Sequence, residues 1–238
     1  MGRHRLAVGR NERRRVGVAT DSQLTAQLLA PPGVGVVGKL GDAARGDLLR
    51  LPTPQCAPNF AYLMAADARN VVRRLPDIGR IEVRLEDHYT GEEINAAIAR
   101  GEGFAAAFPG ETDDDQLDAL RELFQRKALV ARQARLCEAL LADGATPVQV
   151  TTLRVADLPD DGDTRRCVEL RSQLRISCDS DSPAFVAPNG EPLEAHELAL
   201  WLRKARLVRT SLDVNGSICR SLLQIRSRRR AELEEVGA

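Results

Sequence analysis

A thiol stands among prolines in the stretch LPTPQCAP, Leu51–Pro58. Cys56 lies two residues ahead of Pro58, and proline suits the first turn of a helix, where its missing N–H costs nothing. That position puts the sulfur near the positive end of a helix macrodipole, which favours the thiolate. A thiolate is both a nucleophile and a ligand for soft metals. The sequence therefore marks Cys56 as the most readily ionised of the five cysteines. The plainer alternative is a small apolar filler, the usual role of a free cysteine.

A second group of donors follows in EDHYTGEE, Glu86–Glu93. Glu86, Asp87, His88 and Glu92 would make a mixed, mainly hard ligand set. Taken alone, the stretch reads better as a solvated strand end with one surface histidine. Topology keeps His88 and Asp87 as further candidates beside Cys56. If the strands before Cys56 and His88 are parallel, both C-terminal ends open on one sheet edge, where sites form. Cys137, Cys167 and Cys219 fall in helical patterns and Cys178 in a loop, and such scattered cysteines read as filler. No C-x-x-C pair occurs, so a structural zinc site is not expected. The common hydrolase, nucleotide and zincin motifs are also missing, and a turnover enzyme is not expected.

The elements that must position these residues can be read from periodicity. Phe60, Leu63, Met64, Ala68, Val71, Val72 and Leu75 recur at helical spacing, and Pro76 stops the helix. RIEVRLED then alternates Ile81, Val83 and Leu85 with Glu82, Arg84 and Glu86, as a half-buried strand does. A short helix begins at Thr90. VGVV and DLLRL, before Cys56, are weaker strand candidates. A long helix is expected from about Asp115 to Ala142, led by acidic residues that suit its N-terminus. Shorter helices follow at Thr146–Pro147 and in DTRRCVELRSQL, then a hairpin-like turn at Asn189–Gly190. Leu198, Trp201, Leu202, Ala205 and Val208 share one face of an amphipathic helix, and a separate last helix covers Ile218 to Glu235. The fold class is thus α+β: a basic, aperiodic segment over residues 1–30, a small α/β domain over 31–110, and a mainly helical region over 111–238.

The run from Leu51 through Leu85 resembles the second half of the iron–sulfur cluster assembly domain family, which includes the PaaD and SufT proteins. Thr53 and Cys56 occupy its T-x-x-C, Leu75, Pro76 and Ile78 its L-P-x-I, and Val83 and Leu85 its following strand. The match spans about residues 47–90. The family's first helix and acidic D-P-E-type loop have no counterpart in residues 1–45. The resemblance implies an accessory factor in iron–sulfur cluster or metal-centre assembly. Cys56 would be the ligand for iron or a cluster held in transit. A client metalloprotein or the assembly machinery would be the partner.

Composition bounds these readings. Lys+Arg and Asp+Glu both number 34, so the whole chain carries no net pull toward nucleic acid or anionic membrane. No apolar run approaches the ~20 residues that span a bilayer. The Arg-rich start lacks the apolar core of a secretory signal. Five cysteines without a signal point to free thiols and the cytoplasm. Two rivals come from other classes. Residues 136–158 imitate a helix-turn-helix, although few base-reading side chains occur there and nucleic acid is not the expected partner. The other rival is a purely protein-binding helical adaptor with Cys56 inert.

Overall fold

A computed structural model describes residues 35–40, 45–73 and 81–236. The basic segment expected over residues 1–30 lies outside the described residues, as do Leu75, Pro76 and Ile78.

The sheet has three strands in the order β1 (Gly35–Leu40), β2 (Arg45–Arg50) and β3 (Ile81–Glu86). β1 and β2 are antiparallel, with Gly35 opposite Arg50. β2 and β3 are parallel, in register from Arg45 opposite Ile81 to Arg50 opposite Glu86. A parallel pair needs a crossover, and α1 (Pro58–Val72) supplies it. The two weak strand signals of the sequence are therefore β1 and β2. Val83 and Leu85 are buried while Arg84 between them is exposed, the alternation expected of β3.

α1 starts at Pro58, as the proline implies, but seats itself differently from the periodic reading. Ala61, Tyr62, Leu63 and Ala65 are buried, whereas Phe60, Met64, Ala68, Val71 and Val72 are half-buried. Small residues let the helix lie close to the sheet. Phe60 instead meets Phe124 edge-on, with ring centroids 5.7 Å apart. α2 (Gly91–Arg100) and the single turn α3 (Phe104–Ala107) close this first core around Leu49, Leu51, Leu85, Ile94, Ile98 and Phe104.

α4 (Asp114–Ala142) leaves the first core at Leu117 and enters a second at Leu129. There α5 (Pro147–Thr152), a 3₁₀ turn (Val155–Asp157) and α6 (Gly162–Gln173) pack around Cys137, Val150, Cys167, Phe185 and Leu198. Thr146 and Gln149 form a reciprocal capping box at the start of α5. The expected turn near Asn189–Gly190 is present as one isolated bridge, Val186 to Pro192, with Gly190 at φ +92°. Gln133, 1 % exposed, pairs with both backbone groups of Val186 at 2.8 and 3.1 Å.

The last two expected helices are one. α7 runs 39 residues, Leu198–Val236, straight through Asn215 and Gly216. A glycine inside a helix costs about 1 kcal/mol, too little to break a helix packed on both sides of it. α7 returns antiparallel to α4: Arg206 and Arg209 reach Glu138, then Arg135 reaches Asp213, then Arg226 reaches the carbonyl of Leu51. It thereby ties the second core to the first. The described residues are mainly helical with one small sheet, and no described helix is long and apolar enough to cross a membrane.

Candidate functional site

Because β2 and β3 are parallel, Cys56 and His88 emerge at the same sheet edge. His88 Nε2 lies 2.9 Å from the carbonyl oxygen of Cys56, and the Tyr89 N–H donates to the carbonyl of Pro54 at 3.1 Å. The carbonyl can only accept, so Nε2 carries the proton. Nδ1 then accepts from the Thr90 N–H at 3.2 Å. Both ring nitrogens are engaged with the backbone, and His88 acts here as a brace for the loop that carries Cys56.

Asp87 has φ +54°, a left-handed conformation that aspartate adopts more readily than most residues. Its carboxylate lies 3.5 Å from Arg50 and 3.6 Å from Arg226. Glu86 pairs with Arg50 at 2.7 Å and with Arg230 at 3.7 Å. The acidic end of β3 is thus held by arginines of β2 and α7. A shallow polar depression of about 440 Å³ lies beside it, lined by Arg84, Glu86, His88, Glu92, Asn95 and Arg230 among others. Asn95 closes the outer edge of β3 by donating to the Leu85 carbonyl at 2.9 Å and accepting its N–H at 2.7 Å.

Cys56 is half-buried against the first core. Burial pushes its thiol above the ordinary value, Cys219 adds to the rise, and a bond from the Ala57 N–H acts the other way. This corrects the expectation of a readily formed thiolate. The helix terminus does favour the anion as the sequence implied, but desolvation and a neighbouring thiol outweigh one backbone donor. Cys219, whose helical pattern suggests filler, is the ionisable side chain that bears on Cys56. It lies on the inward side of α7 with buried Gly216 and half-buried Leu223. Carrying the helical register unbroken across Gly216 would have placed it there. Cys137 and Cys167 are filler in fact: both are buried, and burial pushes Cys167 up to about 12.

Among the described residues, no group of three or more His, Cys, Asp or Glu is arranged to hold a metal ion. The sequence candidates therefore share one edge without converging as a ligand set. Cys56 contributes a thiol beside Cys219, His88 a brace, and Asp87 an anchor for α7.

No family model, no curated protein and no solved structure matches the chain.

A different feature stands out on α7. Leu200, Leu207, Val214, Ile218, Leu222, Ile225 and Leu233 are all 41 % exposed or more. The first four intervals between Leu200, Leu207, Val214, Ile218 and Ile225 are 7, 7, 4 and 7 residues. At about 100° per residue those five lie within about 40° of arc, with Leu222 and Leu233 on one flank. The inward face of α7, centred on Leu198, Leu202, Ala205 and Gly216, is separate from this row. Periodicity in the sequence marks the inward face; the outer row crosses Gly216, where two separate helices are expected, and emerges only in the continuous helix.

The helix-turn-helix rival is poorly served by the geometry. α5 has only six residues, and Val150 is turned into the core. Its Thr151 and Thr152 hydroxyls donate to carbonyls of their own turn. Few side chains remain to reach base edges.

Proposed function

We propose that this protein is a helical adaptor, which binds a helix of another protein along the outer row of α7. The exposed row from Leu200 to Leu233 carries the reading. Apolar residues spaced at sevens and fours make a seam that a partner helix buries. α7 is rigidly supported by ion pairs at both ends of its inward face, so the seam is preformed. Selection of helical peptides from a displayed library tests this directly. Enriched sequences should carry apolar residues at three- and four-residue spacing and should lose binding to Ile218→Glu. If no selected helix depends on Ile218, the adaptor reading is wrong.

A second reading, delivery of iron or a cluster to a client metalloprotein in the cytoplasm, is favoured by one observation. Cys56 and Cys219 bear on each other at the sheet edge. Two thiols could hold a soft metal in transit, with the client supplying the remaining ligands. Anaerobic loading with ferrous iron and sulfide should then give thiolate charge-transfer bands in the wild type, and none in Cys56→Ser or Cys219→Ser. Equal bands in all three would dismiss it.

A further inference from the structure

The charges around the seam say what kind of helix it takes. Arg203 and Lys204 border the row near its start, and Arg228 and Arg229 near its end. All four are exposed. No carboxylate among the described residues pairs with them. The inward arginines behave differently: Arg206 and Arg209 hold Glu138, and Arg226 holds Asp87. Glu232 is the one acid close to the row. Beside the first half of the row, between α4 and α7, lies a groove of about 300 Å³ lined by Phe124, Lys127, Leu207, Leu212 and Asn215 among others. Lys127 adds a further cation, 5.4 Å from the centroid of the Phe124 ring.

Resting on the adaptor reading, we infer that the α7 seam is built for an amphipathic helix whose apolar row is flanked by acidic residues. Unpaired cations along an apolar seam select a partner by charge. A second copy of this chain fits badly. Parallel pairing would set each cation against itself. Antiparallel pairing centred on Gly216 sets Arg203 and Lys204 against Arg229 and Arg228. Pairing centred on Ile218 sets Arg229 over Leu207. An anionic membrane would meet the same cations and accept leucines, but spacings of 7, 7, 4 and 7 residues are those of a helix–helix seam. The seam from Leu200 to Leu233 is about 50 Å long, and a partner covering all of it would need about nine turns.

The test uses the full chain and three probes. One is a helical peptide with leucines at 3–4 spacing and glutamates on both flanks. The second is identical with lysines in place of glutamates. The third is vesicles with anionic headgroups. The acidic peptide should bind, with affinity falling at least tenfold between low and high salt. The lysine peptide should bind at least tenfold more weakly. The double variant Arg228→Glu/Arg229→Glu should reverse that preference while keeping its circular dichroism. Equal binding of both peptides would overturn the acidic partner and leave the adaptor reading standing. Binding of neither peptide, with vesicle binding or self-association in sedimentation instead, would overturn both.

Discussion

His88 Nε2 donates to the carbonyl oxygen of Cys56 across 2.9 Å, and this bond fixes the loop between β2 and α1 to the end of β3. The side chain with the most chemical promise in its stretch is thereby structural. Replacing His88 by Ala should cost about 1 kcal/mol, the usual worth of one hydrogen bond. It should also raise the alkylation rate of Cys56 severalfold by freeing its loop. Denaturant melts and mass-spectrometric labelling measure both. An unchanged labelling rate would mean the brace is unimportant.

Cys56 should react with iodoacetamide more slowly at neutral pH than an unhindered thiol. Burial and Cys219 raise its folded value, so the reactive thiolate appears only at more alkaline pH than for an ordinary cysteine. Cys137 and Cys167 should be slower still. Rapid labelling of Cys56 below neutral pH would restore the activated-thiolate view. Cys219→Ser should bring the Cys56 profile toward lower pH, since it removes one of the two causes that raise it.

Gln133→Leu should be among the most damaging single changes. Its amide satisfies the N–H and carbonyl of Val186 inside the second core. Leucine would fill the space but strand two buried backbone groups, at a cost of about 2–4 kcal/mol. A stability within a few tenths of a kcal/mol of wild type would show that the Val186 backbone finds another partner.

Glu138 joins α4 to α7 through Arg206 at 2.6 Å and Arg209 at 2.5 Å. Arg206 foremost, and Arg209 with it, hold its carboxyl below the usual carboxylate range. A folded value below the unfolded one contributes stability above the unfolded value and loses it as pH falls through the folded one. The pairs are partly exposed, so Glu138→Gln should cost about 1 kcal/mol at pH 7. The cost should vanish in acid, where wild type has lost the same contribution. A difference that persists unchanged at pH 2 would contradict this account.

Much of the fold was legible because it rests on short-range signals. Pro58 starts α1, the acids at Asp114 and Asp115 lead α4, and alternation marks β3. The sheet edge was legible only conditionally, since Cys56 and His88 share it only if β2 and β3 are parallel. What escaped depends on long-range placement. Ala61 and Ala65 carry the close face of α1, a role set by the sheet rather than by their own hydrophobicity. Cys219 gains its meaning from Cys56, 163 residues earlier. The outer row of α7 was hidden by one glycine that looks like a stop locally and is a buried contact in the fold.

The bond from Arg226 to the carbonyl of Leu51 joins residues 175 positions apart. A ribosome adds roughly 5–20 residues per second, so Leu51 waits about 10–35 s before Arg226 is even synthesised. During that interval the first core can assemble, but the ends of β2 and β3 face solvent with Asp87 lacking its α7 cation and Cys56 lacking its neighbour. The nascent chain therefore passes through a stage whose surface differs from that of the finished protein. An encounter at that edge meets a different set of side chains once α7 has docked.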